Sequence, residues 1–127
     1  GEGHIINIAS IAGKEAYPNG AVYCASKAAV DQLTKGMRLD LYKHNIRVSS
    51  ISPAHVEETE FAIVRFDGDA EKAKIYNDFN PLTSADVAAT IDFILTQPEH
   101  VCIQDVVISG TQQASATNIN RSGREDN

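Results

Sequence analysis

Three short runs of apolar and β-branched residues alternate with two stretches of helical periodicity, and the first two of these runs are joined through a single helix. The apolar runs lie at residues 4–9, 46–51 and 104–109, and the helical stretches begin near residues 21 and 84. Strand–helix–strand units of this kind form parallel sheets with right-handed crossovers and with helices packed on the faces. The pattern therefore predicts an α/β fold with three parallel strands and flanking helices.

Local signals place the ends of the two helices. The first helix is predicted over residues 21–44, and Asn45 is suited to a left-handed cap at its end. The second helix is predicted to begin at a capping box formed by Thr83 and Asp86 and to end before Pro98. On the first helix we expect a core-facing stripe of four apolar side chains: Val30, Leu33, Met37 and Leu41.

Ser10, Tyr23 and Lys27 are spaced as Ser-x12-Tyr-x3-Lys, with the serine directly after the first apolar run. Positions i and i+4 lie on one face of a helix, so the phenol and the ammonium project together. A cation beside a phenol stabilises the phenolate, which prepares the tyrosine to give and take a proton. A Tyr-x3-Lys pair alone is more often an exposed helix face than a site. The serine at the carboxyl end of a strand, where parallel sheets bind ligands, favours an acid/base site.

Composition argues against several other classes of function. The chain has 127 residues, a formal net charge of −6 and no lysine- or arginine-rich run, so nucleic acid and anionic membranes are poor partners. No apolar stretch has the length of a membrane span. Cys24 and Cys102 show no pairing pattern and are expected to be reduced thiols of a cytoplasmic protein. The four histidines lack metal-ligand spacing, so no metal site is predicted.

Three segments resemble the short-chain dehydrogenase/reductase family in their order and separation, namely residues 7–13, 23–29 and 47–54. The resemblance implies the C-terminal half of a Rossmann-type doubly wound parallel sheet. It also implies hydride transfer between a nicotinamide dinucleotide and a secondary alcohol or ketone. In the family's roles, Ser10 holds the substrate oxygen and Tyr23 transfers the proton. Lys27 assists Tyr23 and binds the nicotinamide ribose, and both side chains contact the cofactor.

The loop after the second apolar run resembles the family's Pro-Gly-x-Val-x-Thr segment, which contacts the nicotinamide carboxamide and the pyrophosphate. The resemblance implies cofactor contacts for Pro53, Ala54, Val56 and Thr59. Two departures stand out, because Ala54 replaces the usual glycine and Thr59 lies one residue further along. A loop of this length is similar to that of the NADP-dependent serine and 3-hydroxy acid dehydrogenases. This similarity favours NADP as the cofactor without excluding NAD.

Residues 56–81 correspond in this resemblance to the substrate lid, and a short helix is predicted over residues 70–77. Arg65 in this segment is suited to binding the carboxylate of a 3-hydroxy acid through two parallel hydrogen bonds. It is equally suited to pairing with the acidic residues close to it in the chain as a structural tie. A small 3-hydroxy acid such as serine is the leading substrate, and a 3-oxoacyl or general carbonyl reductase is the alternative function.

The glycine-rich strand–turn–helix that seats a pyrophosphate has no counterpart in this sequence. Residues 1–127 are therefore expected to form a partial Rossmann-fold catalytic domain without the N-terminal cofactor-binding half, inactive as an isolated chain. A non-catalytic oligomerising fragment is a second alternative. Because the family forms homo-oligomers, a dimer or tetramer is expected. The polar residues 111–127 are expected to extend as a C-terminal tail.

Overall fold

A computed structural model of the protein describes residues 2–57 and 78–124. In chain order the main elements are β1 (Gly3–Ile8), α1 (Ala21–Leu41), β2 (Ile46–Pro53), α2 (Ser84–Leu95) and β3 (Asp105–Ile108). The strands form one parallel sheet in the order β1–β2–β3. This arrangement confirms the predicted α/β class with three parallel strands and flanking helices.

The local signals at the helix ends are confirmed. α1 ends at Leu41, and Tyr42–His44 continue as a 3₁₀ turn up to Asn45, whose φ of 58° and ψ of 30° are those of a left-handed cap. At the start of α2 the Thr83 hydroxyl accepts from the Asp86 N–H, and the Asp86 carboxylate accepts from the Thr83 N–H. Within the described residues, neither helix combines the length and apolar character needed to cross a membrane.

β2 is the central strand, and its residues 48–52 are all buried. Three of these five residues are serines, and the hydroxyl groups of Ser49 and Ser50 find partners inside the core. His4 Nε2 lies 2.7 Å from Ser49 Oγ, and the Ser50 hydroxyl donates to Asp105 Oδ1 at 2.9 Å. Because His4 belongs to β1 and Asp105 to β3, these hydrogen bonds link the central strand to both of its neighbours.

α1 packs on the sheet with a face that differs from the predicted one. Leu33, which was expected in the core, is 60% exposed, whereas Cys24 and Thr34 are buried. The Thr34 hydroxyl donates to the Val30 carbonyl oxygen and accepts from Asn7 Nδ2, both at 2.8 Å. The hydrogen bond from Asn7 on β1 to Thr34 on α1 sets the rotation of the helix and turns Leu33 toward the surface. The predicted stripe is therefore wrong at Leu33.

The connection between β1 and α1 contains a one-turn 3₁₀ helix, Ile11–Gly13, that approaches α1 very closely. A Cβ atom on Gly13 would lie 2.6 Å from the carbonyl oxygen of Lys27, a separation that real Cβ atoms essentially never show. Glycine has no Cβ and so permits this backbone-to-backbone contact. The contact holds the turn that follows Ser10 against the helix that carries Lys27.

An ion-pair network around Lys14 ties the same turn to the helix and to the far strand. The Lys14 ammonium lies 2.8 Å from Asp31 on α1 and 2.7 Å from Asp105 at the start of β3. Partial burial alone would raise the pKa of Asp105. The hydrogen bonds from Lys14 and Ser50 outweigh this effect, so the pKa of Asp105 is lowered. Burial alone would lower the pKa of Lys14, but the hydrogen bonds to the Asp105 and Asp31 carboxylates outweigh it and raise this pKa. Lys14 and Asp105 therefore both keep their charges through the neutral range.

The polar residues 111–124, called the C-terminal segment below, fold back onto the rest of the chain. The Ala116 N–H donates to the Glu15 carboxylate at 2.6 Å. Gln113 is buried and accepts a hydrogen bond from the backbone N–H of His55. The expectation of an extended tail is therefore wrong for these residues, because their polar groups find partners that lie far away in the sequence.

Replacing Gly13 by alanine is expected to destabilise the fold. The new methyl group would meet backbone atoms of Lys27, so we expect the free energy of unfolding to fall by about 1–3 kcal/mol. Gly36→Ala is the matched control, because within the described residues no atom beyond its chain neighbours and its own helix backbone lies within 4 Å of its Cβ position. The helix should therefore gain about 1 kcal/mol. Denaturant unfolding of both variants provides the measurement, and effects of the same sign would contradict the close approach.

Replacing Asp105 by asparagine tests the Lys14 network through its pH dependence. The folded-state pKa of Asp105 lies below the ordinary value of 3.8, so its contribution to stability is complete above that pH. The contribution is lost as the pH falls through the folded-state pKa. We expect Asp105→Asn to cost about 0.5–1 kcal/mol near pH 7 and progressively less as the solution is acidified below about pH 4.

The control for this experiment is Asp40→Asn, at an exposed position of α1. It should change the free energy of unfolding little at either pH. A stability difference between Asp105→Asn and the unsubstituted protein that does not shrink in acid would show that the Asp105 charge is not what stabilises this junction.

Candidate active site

Ser10 stands just beyond the carboxyl end of β1, at the start of the turn that contacts α1. Its backbone is extended, with φ of −161° and ψ of 153°, and its Oγ accepts a hydrogen bond from the Ala12 N–H at 3.1 Å. The serine therefore caps the 3₁₀ turn through an oxygen lone pair. The hydroxyl hydrogen has no acceptor in the described part of the chain and remains available to donate to a ligand oxygen.

Tyr23 and Lys27 lie one helical turn apart near the amino end of α1, and both are half-buried. The Lys27 ammonium nitrogen is 5.7 Å from the centre of the Tyr23 ring. At this distance the positive charge attracts the electrons of the ring. The first turn of a helix also carries a partial positive charge. Both features place positive charge beside the Tyr23 ring.

The structure brings the serine turn and the Tyr23 helix into direct contact. Gly13, three residues after Ser10, touches the backbone of Lys27. The sequence-predicted trio therefore belongs to two elements that pack without a gap. A hydroxyl, a phenol and an ammonium on such a framework can hold an oxygen atom and exchange a proton with it.

The loop that follows β2 at the same edge of the sheet contains most of the other predicted site residues. Pro53 is the last residue of β2. The Ala54 N–H donates to Ile108 O at 2.8 Å, the His55 N–H to Gln113 Oε1 at 3.1 Å, and the N–H of residue 57 to Leu82 O at 2.7 Å. Within residues 54–57, the Val56 N–H is the one without a partner among the described residues. It is therefore free to donate to a ligand.

Other predicted features lie outside the described residues. These are Thr59, Arg65 and the short helix predicted over residues 70–77. No group of three or more histidine, cysteine or acidic side chains suited to a metal ion occurs within residues 2–57 and 78–124. The predicted site residues that the structure describes are Ser10, Tyr23, Lys27 and residues 53, 54 and 56 at the end of β2 and in the loop after it.

A cavity of about 210 Å³ lies beside this edge, between the Ser10 turn and the C-terminal segment. None of Ser10, Tyr23 and Lys27 lines it. Its lining is formed by Ile11, Lys14, Glu15, Val107, Ser109, Gln113, Ala114 and Ser115. The contacts of Lys14 and Gln113 could not be predicted from the sequence, because the spacing of these residues carries no signal for them.

The sequence profile of the family described as short chain dehydrogenase matches residues 1–69. An NADP-dependent 3-hydroxy acid dehydrogenase of Schizosaccharomyces pombe is 41% identical over 121 residues, which cover 94% of this chain and 46% of that protein. Sulfoacetaldehyde reductase 2 of Chromohalobacter salexigens is 41% identical over 111 residues, which cover 87% of this chain and 44% of that protein. The chain thus spans about half the length of these curated relatives.

A solved structure, the closed form of serine dehydrogenase complexed with NADP⁺, matches this fold with a TM-score of 0.86 and 41% identity. The match covers 93% of this chain and 48% of that chain. The three parallel strands and their flanking helices are therefore part of a Rossmann-like fold. Because the family profile covers more than half of the sequence and the fold agrees with it, the chain belongs to the short chain dehydrogenase family.

Proposed function

We propose that the protein is an NADP-dependent dehydrogenase that oxidises the secondary alcohol of a small hydroxy acid and carries out the reverse reduction. The observation that supports this most is the pairing of Tyr23 with Lys27 on α1 beside a turn that begins at Ser10. The 5.7 Å between the Lys27 nitrogen and the ring of Tyr23 suits an acid/base tyrosine assisted by a cation. The dehydrogenase names of the relatives support the same reaction.

Each of the three side chains has a distinct part in this proposal. Ser10 donates its free hydroxyl hydrogen to the substrate oxygen and holds it in place. Tyr23 accepts the proton of the alcohol during oxidation and returns it during reduction. Lys27 stabilises the negative charge on the Tyr23 oxygen between these steps and binds hydroxyl groups of the nicotinamide ribose. The dinucleotide, when bound, accepts or supplies the hydride.

The loop after β2 supplies residues that fit the nicotinamide end of the cofactor. A carboxamide oxygen needs a hydrogen-bond donor, and the Val56 N–H is a donor without a protein partner among the described residues. We assign the contact with the nicotinamide carboxamide to Val56, with Pro53 and Ala54 shaping the loop and Thr59 as a further cofactor contact. NADP is preferred to NAD because it is named for the relatives and bound in the similar structure.

The substrate is proposed to carry an acidic group. A hydroxy acid has a carboxylate and sulfoacetaldehyde has a sulfonate. The substrates in the names of these two relatives are therefore both anions. Arg65 is the residue that we assign to this anion, on the basis of the sequence. A homo-oligomer is part of the same proposal, supported by apolar side chains of α1 that are exposed, among them Val22 and Leu39.

Replacing Tyr23 by phenylalanine should abolish most turnover and leave NADP binding nearly unchanged. The hydroxyl carries the proton while the ring packs, so kcat should fall about 10²–10⁴-fold. Tyr42→Phe is the matched control, because this tyrosine is exposed beyond the end of α1. Steady-state kinetics with NADP⁺ and a 3-hydroxy acid measures the effect. Retention of more than about a tenth of the wild-type kcat would remove Tyr23 from the proton-transfer role.

Replacing Arg65 by methionine should raise KM for an acidic substrate far more than for a neutral secondary alcohol. Loss of a charge-assisted pair costs about 1.5–3 kcal/mol, which corresponds to about ten- to a hundredfold in KM. The neutral alcohol serves as the control within the same variant. If KM rises equally for both substrates, Arg65 has a structural role and the anion is bound elsewhere.

A further inference from the structure

Gln113 of the C-terminal segment is buried against the loop that follows β2. Only 3% of the surface of Gln113 is exposed. The amide oxygen accepts from the His55 backbone N–H at 3.1 Å, and the amide nitrogen lies 3.1 Å from both Ser115 O and His55 Nδ1. One side chain therefore holds the backbone and the ring of His55 at the same time.

The partners of Gln113 determine which way round its amide lies. The His55 N–H can only donate and the Ser115 carbonyl can only accept, so the amide oxygen must face the former and the amide nitrogen the latter. The same nitrogen then donates to His55 Nδ1, which must accept. Neutral His55 consequently carries its proton on Nε2. Because Gln113 is shut off from water, it has no solvent partner to replace these bonds.

Further along, the C-terminal segment holds the chain on both sides of the Val56–Leu82 bridge. Arg124 forms a bidentate pair with Glu57, the residue that follows Val56. On the other side of the bridge, Gln112 Oε1 accepts from the Asn80 N–H at 2.6 Å. Val56 and Leu82 themselves are paired in parallel. Exposed ion pairs contribute little on their own, so the buried Gln113 is the stronger of these restraints.

The consequence falls on Val56, which stands between two restrained neighbours. His55 is fixed by Gln113, and residue 57 is fixed by its N–H bond to Leu82 O at 2.7 Å. The peptide group that contains the Val56 N–H also contains the His55 carbonyl oxygen, which accepts from the Leu82 N–H at 3.0 Å. With the His55 N–H bound to Gln113 on one side and this carbonyl bound to Leu82 on the other, the Val56 N–H is held in one direction. A donor that is fixed before the ligand arrives loses less conformational entropy on binding.

We propose that Gln113 is a positioning residue for the dinucleotide, which acts by fixing His55 so that the Val56 N–H is aimed at the nicotinamide carboxamide. This inference rests on the proposed function, since it concerns the cofactor loop of that site. It makes the C-terminal segment part of the cofactor site even though the segment contributes no catalytic residue. The polar contacts that carry this role are those of the Gln113 amide. We expect their loss to weaken dinucleotide binding more than it slows the chemical step.

The experiment is Gln113→Met in the protein as its source cell makes it, with Thr117→Val as the matched control. Methionine fills a similar volume without making hydrogen bonds, whereas Thr117 is exposed on the same segment and its hydroxyl is not used here. We expect Gln113→Met to raise the KM for NADP⁺ and its Kd about tenfold. The value of kcat at saturating NADP⁺ should change much less, and Thr117→Val should change neither quantity.

A second variant keeps the shape of the side chain and changes only its hydrogen-bonding pattern. In Gln113→Glu the carboxylate accepts from the His55 N–H but has no hydrogen to donate to Nδ1. The proton of His55 should then move to Nδ1, which ¹⁵N chemical shifts of the ring report directly. Unfolding midpoints of both variants, measured in parallel, separate loss of positioning from loss of the fold.

The outcomes distinguish this inference from the proposed function. Failure of the unsubstituted protein to bind NADP⁺ and turn over a hydroxy acid would overturn both. If it does both, a KM for NADP⁺ in Gln113→Met that stays within about twofold of the Thr117→Val value would overturn the inference alone. A lowered unfolding midpoint with unchanged KM would reduce Gln113 to a structural residue. An unchanged His55 tautomer in Gln113→Glu would also contradict the assigned contact.

Discussion

The arrangement of the whole site depends on the contact between the turn after β1 and the backbone of α1. Gly13 makes that contact possible, since any side chain there would run into the carbonyl of Lys27. Two polar contacts flank it, because Asn7 holds Thr34 and Lys14 holds Asp31. Together they set the distance, the rotation and the register of α1 against β1. Ser10 on one element and the Tyr23–Lys27 pair on the other are positioned as a result.

A second set of restraints acts on the loop after β2, and it comes from the end of the chain. The Ala54 N–H bonds to β3, and the neighbouring His55 bonds to Gln113. Each backbone N–H of residues 54–57 thus has an acceptor except that of Val56, whose N–H has no partner in the part of the chain that the structure describes. Parallel sheets bind ligands at this carboxyl edge. A backbone N–H without a protein acceptor at such an edge is suited to donate a hydrogen bond to a ligand.

Features that arise from neighbouring residues could be predicted from the sequence. The Thr83–Asp86 capping box, the left-handed Asn45 and the three parallel strands all follow from short-range patterns and connection lengths. Contacts between distant residues could not, since Lys14 and Asp105 are 91 positions apart and Gln113 and His55 are 58 apart. Leu33 shows the same limit, because the hydrogen bond from Asn7 to its neighbour Thr34 rotates the helix against its own apolar pattern.

The central claim is that the nicotinamide end of NADP binds between Tyr23 of α1 and the Val56 N–H of the loop after β2. A crystal structure of the protein from its source cell in complex with NADP⁺ tests this most directly. We predict that the carboxamide oxygen lies about 2.7–3.2 Å from the Val56 nitrogen, with the nicotinamide ring on the side of Tyr23 and Lys27. NADP⁺ bound at another place, or a carboxamide that faces away from Val56, would contradict the account.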